Sequence, residues 1–131
     1  MSLPAANNYA GATLLNDGTI SLTGSLTGGT AITVANAAIL TQSAAGAISG
    51  ASSLTHNSSA TSTLSGVNTY SGPTVVNSGK LLVHGSLSSA GLVTVKVGAT
   101  FGGGGSAGDV TVENLAFLSP GKPDFSENRL N

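Results

Sequence analysis

Residues 64–85 read LSGVNTYSGPTVVNSGKLLVHG, and this stretch decides the fold. Short runs of Thr, Val and Leu alternate in it with Gly and Asn, the residues that turn a chain most readily. It ends in a G-x-L-x-V-x-G string formed by Gly79, Leu81, Val83 and Gly85. Alternation at every second residue puts Leu81 and Val83 on one face of a strand. The stretch therefore predicts short strands with one buried face, joined by tight turns.

The same string recurs along the chain at irregular intervals. Residues 16–24 and 77–85 share the pattern N-x-G-x-(I/L)-x-(L/V)-x-G, and looser copies occupy 97–102 and 113–121. A degenerate copy is placed at 45–50. The copies are spaced roughly 16 to 33 residues apart, which favours a solenoid with unequal rungs over a strictly periodic array.

This alternation predicts eight short strands. They are placed at 19–23, 31–35, 39–42, 62–65, 74–76, 80–84, 93–97 and 109–113. The Ala-rich segment 31–47 is also assigned to strands, because its Thr, Val, Ile and Gly residues disfavour a helix. We therefore predict an all-β fold, a parallel β-helix or β-solenoid of about five to six irregular rungs, with ~20–25 residues in each rung.

The composition supports one folded domain with few charged side chains. Only 7% of residues are charged and 4% are aromatic, but 40% are hydrophobic, more than a disordered chain contains. Residues 1–121 are predicted to form a single solenoid domain, and the charged segment 122–131 to form a polar tail or an end cap. The net charge of −1 gives no electrostatic footprint for nucleic acid or an anionic membrane.

The chain contains no cysteine, which excludes a disulfide framework and a thiolate metal site. Its first residues, MSLPAA, lack the basic and apolar regions of a signal peptide, and no apolar run reaches the length of a transmembrane helix. We therefore expect neither element within these 131 residues.

Three pieces of the region 48–121 carry a family resemblance. They are ISGASSLT at 48–55, residues 64–81 of the opening stretch, and VKVGATFGGGGSAG at 95–108 followed by LSPG at 118–121. These pieces resemble the passenger-associated transport repeat of bacterial autotransporters. The resemblance implies a right-handed parallel β-helix that a Gram-negative cell threads through an outer-membrane barrel and then displays or releases. The first 45 residues are predicted to match no repeat clearly, and degenerate rungs of the same column are one interpretation of them.

The predicted role is that of a structural or transport segment of an autotransporter passenger at the cell surface or outside the cell, and not that of an enzyme. The resemblance implies the outer-membrane barrel of the parent autotransporter as a partner. An alternative is an adhesin segment that binds a polysaccharide or a host surface through Ser, Thr and Asn side chains. A third reading is an ice-binding solenoid, although only 61–63 has the Thr-x-Thr spacing. Unpaired strand edges at the ends of the column also predict end-to-end homo-oligomers, or capping by the tail.

A set of candidate residues follows from the opening stretch, and their predicted role is structural. They are Gly66, Asn68, Tyr70, Gly72, Thr74, Val76, Asn77, Gly79, Leu81, Val83 and Gly85. The Tyr70 ring is predicted to cover a corner of a rung, with its hydroxyl anchoring a turn, although a sugar-stacking platform remains an alternative. Asn68 and Asn77 are predicted to form turns or stacked ladders. No catalytic, cofactor-binding or metal-binding residue is predicted.

Other chemical motifs have simpler readings in this chain. GGSAG at 104–108 fits the nucleophile elbow around Ser106, but both histidines precede it and no helix is predicted after it. His84 is predicted to lie on the surface and His56 in a loop. Asp109 and Glu113 fall on one strand face and are interpreted as a solvated edge.

Overall fold

The computed structural model describes residues 2–88, 91–120 and 125–130, and these ranges contain strands, turns and loops without a helix. The strands form three parallel sheets. Sheet 1 contains β1 (Ser2–Leu3), β4 (Thr19–Leu22), β7 (Ile39–Gln42), β10 (Thr61–Leu64), β12 (Lys80–Val83), β14 (Thr100–Gly103) and β16 (Phe117–Pro120). Sheet 2 contains β3 (Thr13–Leu15), β6 (Ala31–Asn36), β9 (Ser53–Ser58), β11 (Thr74–Val76), β13 (Val93–Val95), β15 (Ala107–Val112) and β17 (Phe125–Leu130). Sheet 3 contains β2 (Ala6–Asn7), β5 (Ser25–Leu26) and β8 (Ala47–Ile48).

The chain winds through the sheets in a fixed order, and each passage is one rung of a solenoid. A rung consists of a strand of sheet 1, a segment beside sheet 3 and a strand of sheet 2. We number the rungs 1 to 6 over 2–18, 19–38, 39–60, 61–79, 80–99 and 100–116, and rung 7 starts with β16. Beyond β8, isolated bridges that join Val67, Ser86 and Ser106 continue the third side.

The predicted parallel β-solenoid of about six turns is confirmed. Residues paired in adjacent rungs of sheet 1 lie 17 to 22 positions apart, from Phe101 with Leu118 to Thr41 with Thr63. The rungs are therefore slightly shorter than predicted. At ~4.8 Å per rung the column is ~30 Å long.

All eight predicted strands exist, and each lies within two residues of its predicted bounds. Nine further strands of the described residues were not predicted, and two kinds of them show a physical reason. The first kind has only two residues, as in sheet 3, and is too short to show a period. The second kind buries polar or glycine residues, as in β9 and β14, where the inward positions do not read as apolar.

The core is a narrow stack of inward-facing side chains between sheets 1 and 2. In β12 the predicted inward residues Leu81 and Val83 are fully buried, and Leu64 and Phe101 take the same side of the neighbouring strands. Each rung contributes a few aliphatic side chains to the stack, which explains why the column needs so few aromatic residues.

The repeated N-x-G string marks the corner that leads into a sheet 1 strand. Gly18, Gly79 and Gly98 occupy this corner in three rungs, with φ of 77°, 65° and 82°. A residue without Cβ adopts this left-handed conformation at little cost. The copy predicted at 45–50 is wrong, because that segment lies in sheet 3 around β8, and β7 (Ile39–Gln42) occupies the equivalent place in its rung.

Leu115 takes the glycine position in the copy at 113–121. Its φ is 65° and its side chain is 71% exposed. The left-handed conformation costs an L-residue ~1–2 kcal/mol, and little packing offsets this cost.

We expect Leu115→Gly to raise the free energy of unfolding by about 0.5–1 kcal/mol, the backbone strain minus the entropy cost of glycine. Guanidinium unfolding followed by circular dichroism measures the change. Leu115→Ala is the control, because it removes the exposed side chain and keeps the Cβ. Equal effects of the two substitutions would show that the strain is absent.

The segment predicted as a tail or cap is described in part. Residues 122–124 and 131 lie outside the described residues. Residues 125–130 form β17, which pairs in parallel with β15 at the edge of sheet 2 and shows two register shifts. Whether this strand caps the column stays a prediction. Within the described ranges, no helix is long and apolar enough to span a membrane.

Candidate functional site

The predicted motif residues of 66–85 are spread around one full turn of the column. They start at the corner after β10, pass through the third side and β11, and end after β12. Val76, Leu81 and Val83 are fully buried, whereas Asn77 is exposed at the corner before β12. The motif is therefore arranged along a rung and does not converge on one pocket.

The centre of this turn is a pair of buried amides, Gln42 of rung 3 and Asn68 of rung 4, which we call the amide pair. Both side chains are 1% exposed. Gln42 Nε2 donates to Asn68 Oδ1 at 2.7 Å, and Asn68 Nδ2 donates to Gln42 Oε1 at 3.0 Å. Backbone N–H groups complete the pair, since Ile48 N donates to Asn68 Oδ1 at 3.0 Å and Gly66 N donates to Gln42 Oε1 at 2.9 Å.

Asn68 also reaches the following rung. Its Nδ2 lies 3.2 Å from the Ser86 carbonyl oxygen, and its backbone N–H donates to the same oxygen at 3.0 Å. One side chain thus joins rungs 3, 4 and 5 at the point where sheet 3 gives way to isolated bridges. A satisfied buried network of this kind specifies the stacking register, because any shift would leave polar groups without partners.

Tyr70 is part of the core. Its side chain is 2% exposed, and its hydroxyl lies 2.5 Å from Thr74 Oγ1. Burial raises the pKa of Tyr70 to about 12, against a smaller opposing effect of the Thr74 hydrogen bond. The ring and its anchoring hydroxyl fit the predicted structural role, and a sugar cannot stack on a ring that is only 2% exposed.

Gly66 and Gly85 occupy equivalent corners of rungs 4 and 5, where the backbones of neighbouring rungs nearly touch. A Cβ at Gly66 would lie 1.9 Å from the Gly46 carbonyl oxygen, and one at Gly85 would lie 2.0 Å from the Gly66 carbonyl oxygen. Real atoms do not approach so closely, so these positions require glycine.

Asparagine ladders follow the corner between sheet 2 and sheet 1, as predicted for Asn77. Asn77 Nδ2 donates to Asn57 Oδ1 at 2.6 Å, and Asn36 Nδ2 donates to Asn16 Oδ1 at 2.9 Å. Asn68 belongs instead to the amide pair, in the interior.

The loop position predicted for His56 is wrong. This residue lies in β9 and is fully buried. Nδ1 donates to the Ser78 carbonyl oxygen at 2.9 Å, so it carries the proton, and Nε2 accepts from the Ser62 hydroxyl at 3.0 Å. Ser62 Oγ in turn accepts from Leu40 N at 2.9 Å. A neutral imidazole therefore connects sheet 2 of rung 3 with sheet 1 of rung 4.

Acidification should weaken the fold through His56. Burial lowers the pKa of His56, against a smaller opposing effect of the Ser78 hydrogen bond. The unfolded chain therefore binds more protons below the ordinary histidine pKa of ~6.5, so the free energy of unfolding falls below that pH by up to about 1.4 kcal/mol per pH unit. We expect this stabilisation to be complete above about pH 7.5 and to be lost as the pH falls towards the lowered pKa.

Urea unfolding between pH 8 and pH 5 tests this dependence. His56→Gln should flatten the profile, because a neutral amide replaces the imidazole. His84→Gln is the matched control, because it removes a histidine at an exposed position. A profile with the same slope in both variants would contradict the assignment.

The remaining chemical motifs show no convergent geometry. Ser106 directly precedes β15, so a strand follows the GGSAG string where a nucleophile elbow needs a helix. Asp109 and His84 are exposed as predicted, and Glu113 forms an ion pair with Lys96 at 3.0 Å. In the part of the chain that the structure describes, no three His, Cys, Asp or Glu residues lie close enough to hold a metal ion.

A small cavity lies inside the first three rungs. Leu3, Leu15, Ile20 and Leu26 are among the aliphatic residues that line it, and Thr13 also contributes. It continues the apolar core and offers no charged group to a ligand.

A comparison of the sequence with models of known protein families finds a match. The model of the passenger-associated-transport-repeat family matches residues 2–22 and 54–83. Two segments of the chain are therefore similar to this repeat. The second match covers the amide pair's Asn68, Tyr70 and the corner at Gly79, so the predicted resemblance is confirmed over the centre of the region 48–121. No curated protein and no solved structure matches the chain significantly.

The first match shows that the lack of a clear repeat, predicted for the first 45 residues, is wrong, whereas these residues do form rungs of the same column. The repeat in rung 1 contains Asn7, Tyr9, Gly11 and Thr13 at the spacing of their counterparts in rung 4. The pattern N-x-Y-x-G-x-T, followed by N-x-G, could have identified it in the sequence. The geometry agrees, since Tyr9 OH lies 2.8 Å from Thr13 Oγ1, as Tyr70 OH lies beside Thr74.

The repeat family implies the β-helix of an autotransporter passenger, and it suggests a location at the cell surface or outside the cell.

Proposed function

We propose that this chain is a structural and transport segment of an autotransporter passenger, which helps passage through the outer-membrane barrel of its parent protein and carries the passenger at the surface. The observation that supports this most is the amide pair, in which one asparagine joins three successive rungs. A rung completed outside the barrel is held by its neighbours and cannot return through the pore in folded form. The proposed role is mechanical and requires no enzymatic chemistry.

The stacking energetics support this proposal. A solenoid gains its stability from each rung and its interface with the next, so folding can proceed rung by rung as the chain emerges. The near absence of charged side chains in the column suits an extended chain that must pass a narrow pore before it folds.

Surface delivery in a Gram-negative cell tests the proposal. Residues 1–131 are placed between a signal peptide and an outer-membrane barrel, and protease accessibility measures the fraction that reaches the surface. Gly72→Ala, which forces rungs 3 and 4 apart, should lower this fraction relative to the unchanged chain at equal expression. Gly11→Ala is the matched control at the equivalent position of rung 1, where a Cβ meets nothing within 4 Å.

The proposal fails if Gly72→Ala and Gly11→Ala reach the surface equally well, although circular dichroism shows that Gly72→Ala has lost its fold. It also fails if the barrel delivers a passenger of equal length without a solenoid just as efficiently.

A second candidate is an adhesin segment, and the outer face of sheet 2 favours it. The register aligns Thr33, Thr55, Val75, Thr94 and Thr111 in one outward row. Beside it runs a row of Asn57, Asn77, Lys96 and Glu113, whose neighbours are linked by the Asn77–Asn57 hydrogen bond and the Lys96–Glu113 ion pair. Hydroxyl and amide groups on a flat face can hydrogen-bond a polysaccharide chain.

A glycan array with the purified chain tests this second candidate. Binding should fall when Thr55 and Thr94 are both replaced by Val, and should be kept when the exposed Thr19 of sheet 1 is replaced instead. No signal above that of an unrelated solenoid would exclude a glycan role for this face.

A further inference from the structure

Rung 4 shows how one rung of this solenoid covers the next. The backbone N–H groups of Thr69, Ser71 and Gly72 each donate at 2.9 Å to carbonyl oxygens of rung 3. Their acceptors are Ile48, Gly50 and Ser52. Together with the donation from Gln42 and Ile48 to Asn68, these bonds leave the Tyr70 side chain 2% exposed.

Rung 1 carries the same motif. No described residue covers the side of rung 1 that corresponds to the side of rung 4 facing rung 3. Asn7 Nδ2 donates to the carbonyl oxygens of Ala5 at 2.7 Å and Ser25 at 3.3 Å, as Asn68 Nδ2 does to Gly66 and Ser86. Within the described residues no donor bonds to Asn7 Oδ1, the atom whose counterpart accepts from Gln42 and Ile48. Tyr9 is 40% exposed, and a Cβ at Gly11 would meet nothing within 4 Å.

We propose that the face of rung 1 formed by Asn7, Tyr9 and Gly11 is a docking surface for one further parallel rung of the same repeat type as rung 3. The internal pair of rungs 3 and 4 supplies the template. This inference concerns the solenoid alone and does not rest on the transport function.

The template also defines the chemistry of the occupant. The docking rung presents a carboxamide at the end of its sheet 1 strand, in the place of Gln42, and a backbone N–H in the place of Ile48. It joins β1 through a corner like that between β9 and β10. Rung 7 of a second copy lacks this chemistry, because the register places Pro120 in line with Gly103, Val83, Leu64 and Gln42.

An extended chain tests the proposal. A copy of residues 38–62 replaces Met1, which sets the copied rung one step before Ser2 in the observed register. Nitration by tetranitromethane, located by mass spectrometry, reports the access to each tyrosine ring. In the unextended chain Tyr9 should be nitrated while Tyr70 is protected, and in the extended chain the nitration of Tyr9 should fall to the level of Tyr70.

The second readout is the effect of Gly11→Ala on the unfolding midpoint. It reports close contact between rungs, whereas nitration reports access to the tyrosine ring. In the unextended chain this substitution should leave the unfolding midpoint unchanged. In the extended chain it should lower the midpoint, because its Cβ would meet the copied carbonyl as a Cβ at Gly72 would meet that of Ser52, at 2.3 Å. A further extension with Leu in place of the copied Gln42 should protect Tyr9 less well.

Two results would overturn the proposal. The first is an extended chain in which Tyr9 stays as reactive as before, whether the copy folds elsewhere or not at all. The second is an unextended chain in which Tyr9 is already protected and sedimentation shows dimers, since the occupant is then a second copy. Both experiments use purified protein, so their failure is distinguishable from a failure of surface delivery.

Discussion

Asn68→Ala should lower the free energy of unfolding by about 3–5 kcal/mol. The substitution removes the partner of Gln42 Nε2 and of the Ile48 N–H, both of which are held in the interior. It also removes the side-chain bond to the Ser86 carbonyl oxygen of rung 5. Each buried polar group that loses its partner costs ~1–3 kcal/mol, and these losses fall on three rungs at once.

Guanidinium unfolding followed by circular dichroism measures this loss, with Asn77→Ala as the matched control. Asn77 carries an amide of the same kind at an exposed corner, where water can replace its bond to Asn57. We therefore expect Asn77→Ala to lower the free energy of unfolding by less than about 1 kcal/mol. An Asn68→Ala cost no larger than that of Asn77→Ala would show that the amide pair does not hold the rungs.

Gly72→Ala should lower the free energy of unfolding by about 3 kcal/mol. A Cβ at Gly72 would lie 2.3 Å from the Ser52 carbonyl oxygen and 3.0 Å from Ser53 Cβ. The atom met first is backbone, which cannot rotate away, and the Gly72 N–H donates to that same oxygen at 2.9 Å. The rungs must therefore separate and lose this hydrogen bond.

Gly11→Ala is the control for this prediction, because Gly11 occupies the same position of the same repeat in rung 1. A Cβ there meets nothing within 4 Å, so the substitution should be neutral or stabilise the fold by up to about 1 kcal/mol through the unfolded state. Urea unfolding of the two variants side by side gives the comparison. If both variants lose the same stability, the cost comes from glycine flexibility and not from the contact between rungs.

Much of the column was predictable from alternation and turn residues. The inward phase of Leu81 and Val83 follows from a two-residue period, and the corner at Gly79 follows from the N-x-G string. These features depend on neighbouring residues in one rung, so a single sequence carries them. The same local signal exists at residues 7–13, where N-x-Y-x-G-x-T has the spacing of residues 68–74.

The buried polar residues were not predictable in this way. Gln42, His56 and Ser62 occupy inward positions that alternation assigns to apolar side chains, and their polarity makes them read as loop or surface. Each becomes stable in the core through a partner about one rung away, such as Asn68 for Gln42. Asn68 lies 26 residues from Gln42, and Ser78, which accepts from His56, lies 22 residues from it, so no local pattern identifies these partners.

The sequence by itself determined that this chain forms short strands with tight glycine and asparagine corners, and that its repeats belong to a solenoid. Local conformational preference and side-chain alternation are enough for that. The tertiary structure decided which residues meet across rungs, and so that Asn68 links three rungs and that His56 lies in the core. The equivalent repeat in rung 1 leaves Tyr9 exposed, because burial depends on the neighbouring rung and not on the motif alone.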